Sequence, residues 1–119
     1  MKAEISTFHS PDVDDLAGFH PDNPDSMGFL LQVLAGPEGT GGAESFDVFV
    51  GTPDWFLARQ GQAVAAPGLH TILITKYDWP AIETYIRELV DEVAGDDWAA
   101  IATELHQRLG SWEFADYVE

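Results

Sequence analysis

Residues 27–35 read MGFLLQVLA, a stretch that is apolar on both faces when laid out with a period of two. That pattern describes a strand at the centre of a sheet, where neither face meets bulk water. The stretch is broken by Gln32 and is far too short to span a bilayer. It is followed by Gly36-Pro37-Glu38-Gly39-Thr40-Gly41-Gly42, which reads as a flexible turn. Residues 44–52, ESFDVFVGT, then place Phe46, Val48 and Val50 on one face. The two runs predict an antiparallel hairpin with a long connection. Residues 2–9, KAEISTFH, add an edge strand with Ala3, Ile5 and Thr7 on one face and Phe8 on the other. Residues 69–76, LHTILITK, predict a further strand, bounded by Pro67-Gly68 and Tyr77-Asp78.

The period then changes. In residues 79–94, Ile82, Tyr85, Ile86, Leu89, Val90 and Val93 recur at helical spacing and predict one continuous apolar stripe, ended by Gly95. Asp96 or Asp97 is placed to cap a second helix over 98–109, with Trp98, Ile101, Ala102, Leu105 and Leu109 inward and Gly110 at its end. Thr52-Pro53 is a start signal for a short helix carrying Asp54, Trp55 and Phe56. Residues 61–68 read as loop, and the aromatic tail 111–117 as a docked segment or a short last strand. Strands followed by helices point to the α+β class. The expectation is a mostly antiparallel four- to five-stranded sheet with two C-terminal amphipathic helices packed on one face, in a single domain over residues 1–119.

Charge is the outlying property. Twenty-one acids face five bases, for a formal net charge of −16. Between Ala3 and Ala58 there are ten acids and no Lys or Arg. A field of this sign repels nucleic acid and anionic membrane and accelerates encounter with basic partners. The densest part is SPDVDDLAGFHPDNPDS, residues 10–26, with five aspartates, three prolines and one glycine, which reads as a loop. Leu16 and Phe19 are its expected anchors to the core, and Asp12 and Asp14 can close its turns through Asx hydrogen bonds. Asp15, Asp22 and Asp25 are expected to face outward.

The motifs of catalysis and metal binding are weak. Counted as an EF-hand from Asp12, the loop has Leu16 and Ala17 where a ligand and a glycine are needed; counted from Asp22, it has Pro24 at the third position. His9, His20, His70 and His106 make no paired-histidine zinc motif. The absence of cysteine removes disulfides, thiolate ligands and a cysteine nucleophile, and suits a reducing compartment. There is no G-x-S-x-G elbow, and GPEGTGG lacks the Lys-Ser/Thr ending of a phosphate loop. With 21 acids, some pair always falls about 5–9 Å apart, so paired carboxylates carry no signal for glycoside hydrolysis. No catalytic residue, cofactor or metal ligand is assigned. The N-terminus lacks the apolar core of a signal peptide, so a cytoplasmic location is expected.

Several segments together resemble the immunity protein 8 family: SPD followed by DDL, HPDNPDSMGFLLQVLAGPEG, SFDVFVGTPDWF, YDWPAIETYI, DDWAAIATEL and the closing WEFADY. The resemblance runs from Ala3 to Tyr117, with nothing contributed by residues 57–68. It implies a small α+β protein, cytoplasmic and non-enzymatic, that binds and neutralises a cognate bacterial toxin domain of its own or a neighbouring cell. Many such toxins attack nucleic acid and have basic clefts, which an acidic inhibitor would meet rapidly. The contact residues expected on this reading are Asp15, Asp22, Asp25, Asp54, Trp55, Trp79, Glu83 and Glu88, with Trp55 and Trp79 as partly exposed aromatic anchors. Two other readings remain open from the residues alone: an acidic nucleic-acid mimic that occupies a DNA-binding protein, and a carboxylate-dependent hydrolase.

Overall fold

The hairpin forms as the alternation requires. A computed structural model describes residues 1–60 and 70–114. In it β2 (Gly28–Pro37) pairs antiparallel with β3 (Glu44–Gly51), from Gly28 opposite Gly51 to Ala35 opposite Glu44. Phe29, Leu31, Val33 and Ala35 of β2 and Phe46, Val48 and Val50 of β3 are buried on one face. Gly39 and Gly41 in the connection adopt positive φ, 81° and 75°, which side chains rarely tolerate.

β1 (Ala3–His9) pairs antiparallel with β2, with a bulge between Ile5 and Thr7. The bulge corrects the predicted alternation. Ile5 lies opposite Ala35 and Phe8 opposite Val33, so both turn toward the core side, while Thr7 is exposed.

The sheet order is β1-β2-β3-β4, and β5 (Ser111–Trp112) also pairs with β3. β4 (Thr71–Leu73) runs parallel to β3, after α1 (Pro53–Gln60). It is shorter than the predicted 69–76 because β3 ends at Gly51, opposite Leu73, and because the earlier part of β3 is shared with another strand. Phe49 to Gly51 of β3 pair with β4, and Phe46 and Asp47 are already paired with Trp112 and Ser111 of β5. One edge of β3 thus serves two short strands. The expected loop at 61–68, Leu69 and residues 115–117 of the tail lie outside the described residues; Ser111 and Trp112 do form the expected last strand.

Two helices cover the buried face. α2 (Trp79–Asp91) starts from Asp78, whose side chain accepts from Ala81 N, with Pro80 in its first turn. It buries Trp79, Ile82, Ile86 and Val90, a narrower stripe than predicted, and leaves Tyr85 52% exposed. It also stops before Gly95. Val93 leaves the helix and stays buried, Ala94 bridges Lys2, and Gly95 N donates to Met1 O. Pairing with the N-terminus replaces the last helical turn. α3 (Trp98–Arg108) is capped by Asp97, whose side chain accepts from Ala100 N at 2.8 Å. Ile101, Ala102 and Leu105 are buried, and Trp98 packs half-buried against them. The architecture is α+β with a mixed, mostly antiparallel sheet, as expected.

α1 lies against the opposite face of the sheet. A Cβ at Gly28 would meet the Trp55 indole at 2.2 Å, and one at Gly51 would meet it at 2.7 Å. The two facing glycines therefore make the bed for this ring. Thr52 does not cap α1 with its hydroxyl as predicted. Its Oγ1 is buried and accepts from Met27 N at 3.2 Å, tying the entry of α1 to the entry of β2.

Candidate functional site

The acidic loop 10–26 is pinned at several points. Ser10 Oγ accepts from Asp12 N, and Asn23 Oδ1 accepts from Asp25 N, both at 3.1 Å. Asp12 Oδ2 accepts from Leu30 N at 2.9 Å, just past the point where β1 stops pairing with β2. Val13 is buried, a core contribution that its acidic neighbours hid in the sequence. Leu16 and Phe19 pack against the core as expected. Phe19, Phe29 and Tyr77 form a triangle of edge-to-face contacts with centroids 5.1–6.1 Å apart. The Tyr77 hydroxyl donates to Leu16 O. Burial, reinforced by the charge of Asp15, pushes its pKa up to about 12.

Held in this way, the loop and α2 enclose an open groove of about 350 Å³. It brings together three of the predicted contact residues: Asp15, Trp79 and Glu83, with Asp14, Phe8 and Arg87 beside them. Trp79 is not the partly exposed anchor expected; it is 9% exposed and meets Phe8 edge-to-face at 5.2 Å. The bulge that turns Phe8 inward creates this contact. Glu83 is paired with Arg87 at 3.0 Å, and the Arg87 guanidinium lies 5.2 Å from the Phe8 ring. Asp15 is exposed.

The other predicted residues do not line that groove. Asp22 and Asp25 are exposed on the second half of the loop. Asp54 is exposed in the first turn of α1, and Trp55 beside it is half-buried over Gly28 and Gly51. Arg59 stacks its guanidinium 4.8 Å from Trp55 and 4.7 Å from Phe49. Glu88 is exposed on α2.

Several further acids carry the fold. Glu44 receives an indole N–H on each oxygen, from Trp98 at 2.8 Å and from Trp112. Asp78 and Asp97 cap helices. Glu92 and Glu104 both bind Arg108, and these hydrogen bonds raise its pKa further.

A second groove was not foreseen in the sequence. It measures about 540 Å³ and runs between β4 and α2, lined by Ile72, Leu73, Ile74, Lys76, Ile82 and Tyr85. The signal for it was hidden because Tyr85 fits the apolar stripe of α2. Among the described residues, no group of three or more His, Asp or Glu side chains is placed to hold a metal ion. No helix among them is long and apolar enough to cross a membrane.

The fold and surface thus define a small acidic α+β domain whose charged side chains cap, pair and line open grooves on its outside. Residues 3–117 match the family model described as Immunity protein 8, and the chain belongs to that family. It is therefore an immunity protein of toxin systems, which implies a toxin as its partner. Comparison with curated proteins and with solved structures finds no match.

Proposed function

We propose that this protein binds the cognate toxin domain of a polymorphic toxin system in the cytoplasm and neutralises it without catalysis, by covering a basic active cleft. The observation that carries this reading is the family match over residues 3–117. The charge supports the mechanism. Acids exceed bases by 16, so most have no basic side chain to pair with inside the molecule. A nuclease-like cleft built to hold phosphates presents the opposite sign. Long-range attraction then raises the association rate, while a few desolvated anchors set the lifetime of the complex.

In this reading the exposed acids Asp15, Asp22, Asp25, Asp54 and Glu88 form the steering surface, with Glu83 next to Asp15 in the loop groove. Trp55 contributes the edge of its ring at α1. Trp79 acts from beneath, by holding Phe8 and the floor of the groove.

The test is co-expression with the toxin encoded by the adjacent gene. Cells carrying this protein survive, and a pull-down with the toxin's C-terminal domain recovers a complex whose association slows as salt rises, since exposed charges are screened beyond about 10 Å at 0.1 M. Equal killing with and without the protein, together with no complex at low salt, sinks the reading.

A further inference from the structure

Edge strands of a sheet are normally blunted against pairing with foreign chains. β1 is blunted: it carries a bulge after Ile5, an exposed Glu4, and a neighbouring bridge from Lys2 to Ala94. β4, at the other end of the order, is blunted by its length of three residues but has neither bulge nor charge within Thr71-Ile72-Leu73. Phe49 N donates to His70 O, and Ile74 N donates to Gly51 O, so residues 70 and 74 turn their backbone groups toward β3. Alternation along the strand directs those of Thr71 and Leu73 away from β3. Among the described residues no strand pairs with that outer side.

The apolar groove lies alongside this edge. Its floor is Ile72 and Ile74, half-buried against the core, and its wall is Ala81, Ile82 and Tyr85 of α2. Leu73 is 64% exposed and Tyr85 is 52% exposed, two of the five large apolar side chains left in the open among the described residues. Asp78, the N-cap of α2, lies two turns before Tyr85, and Glu88 lies one turn after it.

We infer that β4 is the docking edge for the toxin: an extended strand of a basic toxin domain adds to Thr71–Leu73, with alternate side chains resting on Ile74, Ile82 and Tyr85. This rests on the function proposed above and adds where the partner binds and how. Charge selects the occupant. The groove itself carries one charge of each sign, Lys76 and Asp78, so the selection comes from the whole surface: a second copy of this chain would bring two net charges of −16 together, whereas a strand from a basic domain is attracted. Backbone pairing would supply registry, and the groove would supply the desolvated anchors.

The experiment uses the full chain with the C-terminal domain of the adjacent toxin. Residue-resolved amide exchange is read with and without that domain, and affinity is measured for the wild type and Tyr85→Ala. Slower exchange at Thr71 and Leu73 by at least about tenfold, with about tenfold or more weaker binding for Tyr85→Ala, is expected. Tyr85 is exposed, so an unchanged thermal midpoint confirms that the variant stays folded. Binding with unchanged exchange at Thr71 and Leu73 overturns the docking edge and leaves the immunity function standing. Concentration-dependent protection of those amides without toxin makes a second copy the occupant and also overturns it. No binding at all removes the functional reading, and the docking edge with it.

Discussion

Asp12 Oδ2 accepts the backbone N–H of Leu30 at 2.9 Å. Leu30 lies two residues before Gln32, the first position of β2 that pairs with β1, so the carboxylate continues the ladder where β1 has left. One member of the acidic loop is therefore a structural residue, and its neighbours can be told from it. Asp12→Ala is expected to lower stability by about 1 kcal/mol. Asp12→Asn, which keeps an acceptor oxygen, costs less. Asp22→Asn and Asp25→Asn should stay within about 0.5 kcal/mol of the wild type, because they remove exposed charge from a like-charged surface. Urea denaturation of the four variants separates these groups.

The same two aspartates are expected to matter in association. Neutralising Asp22 and Asp25 together should slow binding to the toxin domain and flatten its salt dependence, with little change in dissociation. Stopped-flow measurements over a range of salt concentrations check this; an effect confined to dissociation would make these residues direct anchors.

Glu44 is held by two indoles at once, Trp98 on Oε1 and Trp112 on Oε2. It joins α3 to β5 across β3. Glu44→Ala should cost about 1–3 kcal/mol, since two partly buried donors lose a charged acceptor. Glu44→Gln should recover only part of this, because the amide nitrogen faces an indole N–H with another donor. Thermal unfolding followed by tryptophan fluorescence reads both the stability and the environment of the two rings.

Trp55 occupies the space that a side chain at residue 28 would need. Gly28→Ala should destabilise the fold by about 1–3 kcal/mol, the usual cost of overpacking. In a Trp55→Ala background the same substitution should cost much less, as the clash partner is gone. A four-member denaturation cycle tests this.

Tyr77 ionises late. Its pKa is raised to about 12 from 10.0, by burial first and by Asp15 second. The neutral phenol is thus favoured in the folded state. The stability this confers is complete below pH 10 and is lost as pH rises through about 12. Ultraviolet titration should show a tyrosinate component near pH 12 that disappears in Tyr77→Phe. Asp15→Asn should shift it downward only in part, because burial is the larger cause.

Much of the architecture was legible along the chain, because it is written in local periods. The two-residue alternation of 44–50, the helical spacing of Ile82, Ile86 and Val90, and the capping Asp97 each act over one turn or one strand pair. Leu16 and Phe19 were readable as loop anchors for the same reason: they are the large apolar residues among aspartates. The spread of acids along residues 3–58 likewise belongs to the sequence alone.

What decided the rest was contact between residues far apart in the chain. Phe8 turns inward because a bulge shifts its register against Val33, and that contact buries Trp79, which a helix start alone leaves undetermined. Tyr85 fits the apolar period yet stays 52% exposed, on the groove beside β4. β4 is short because β3 ends at Gly51 on one side of their pairing, while β5, a segment 40 residues further on, occupies Phe46 and Asp47 on the other. Asp12 and Glu44 look like any other acids until Leu30, Trp98 and Trp112 arrive beside them. Periodicity reports which face a residue prefers; only the packed structure determines which partner meets that face, and so which acids hold the fold and which are left exposed.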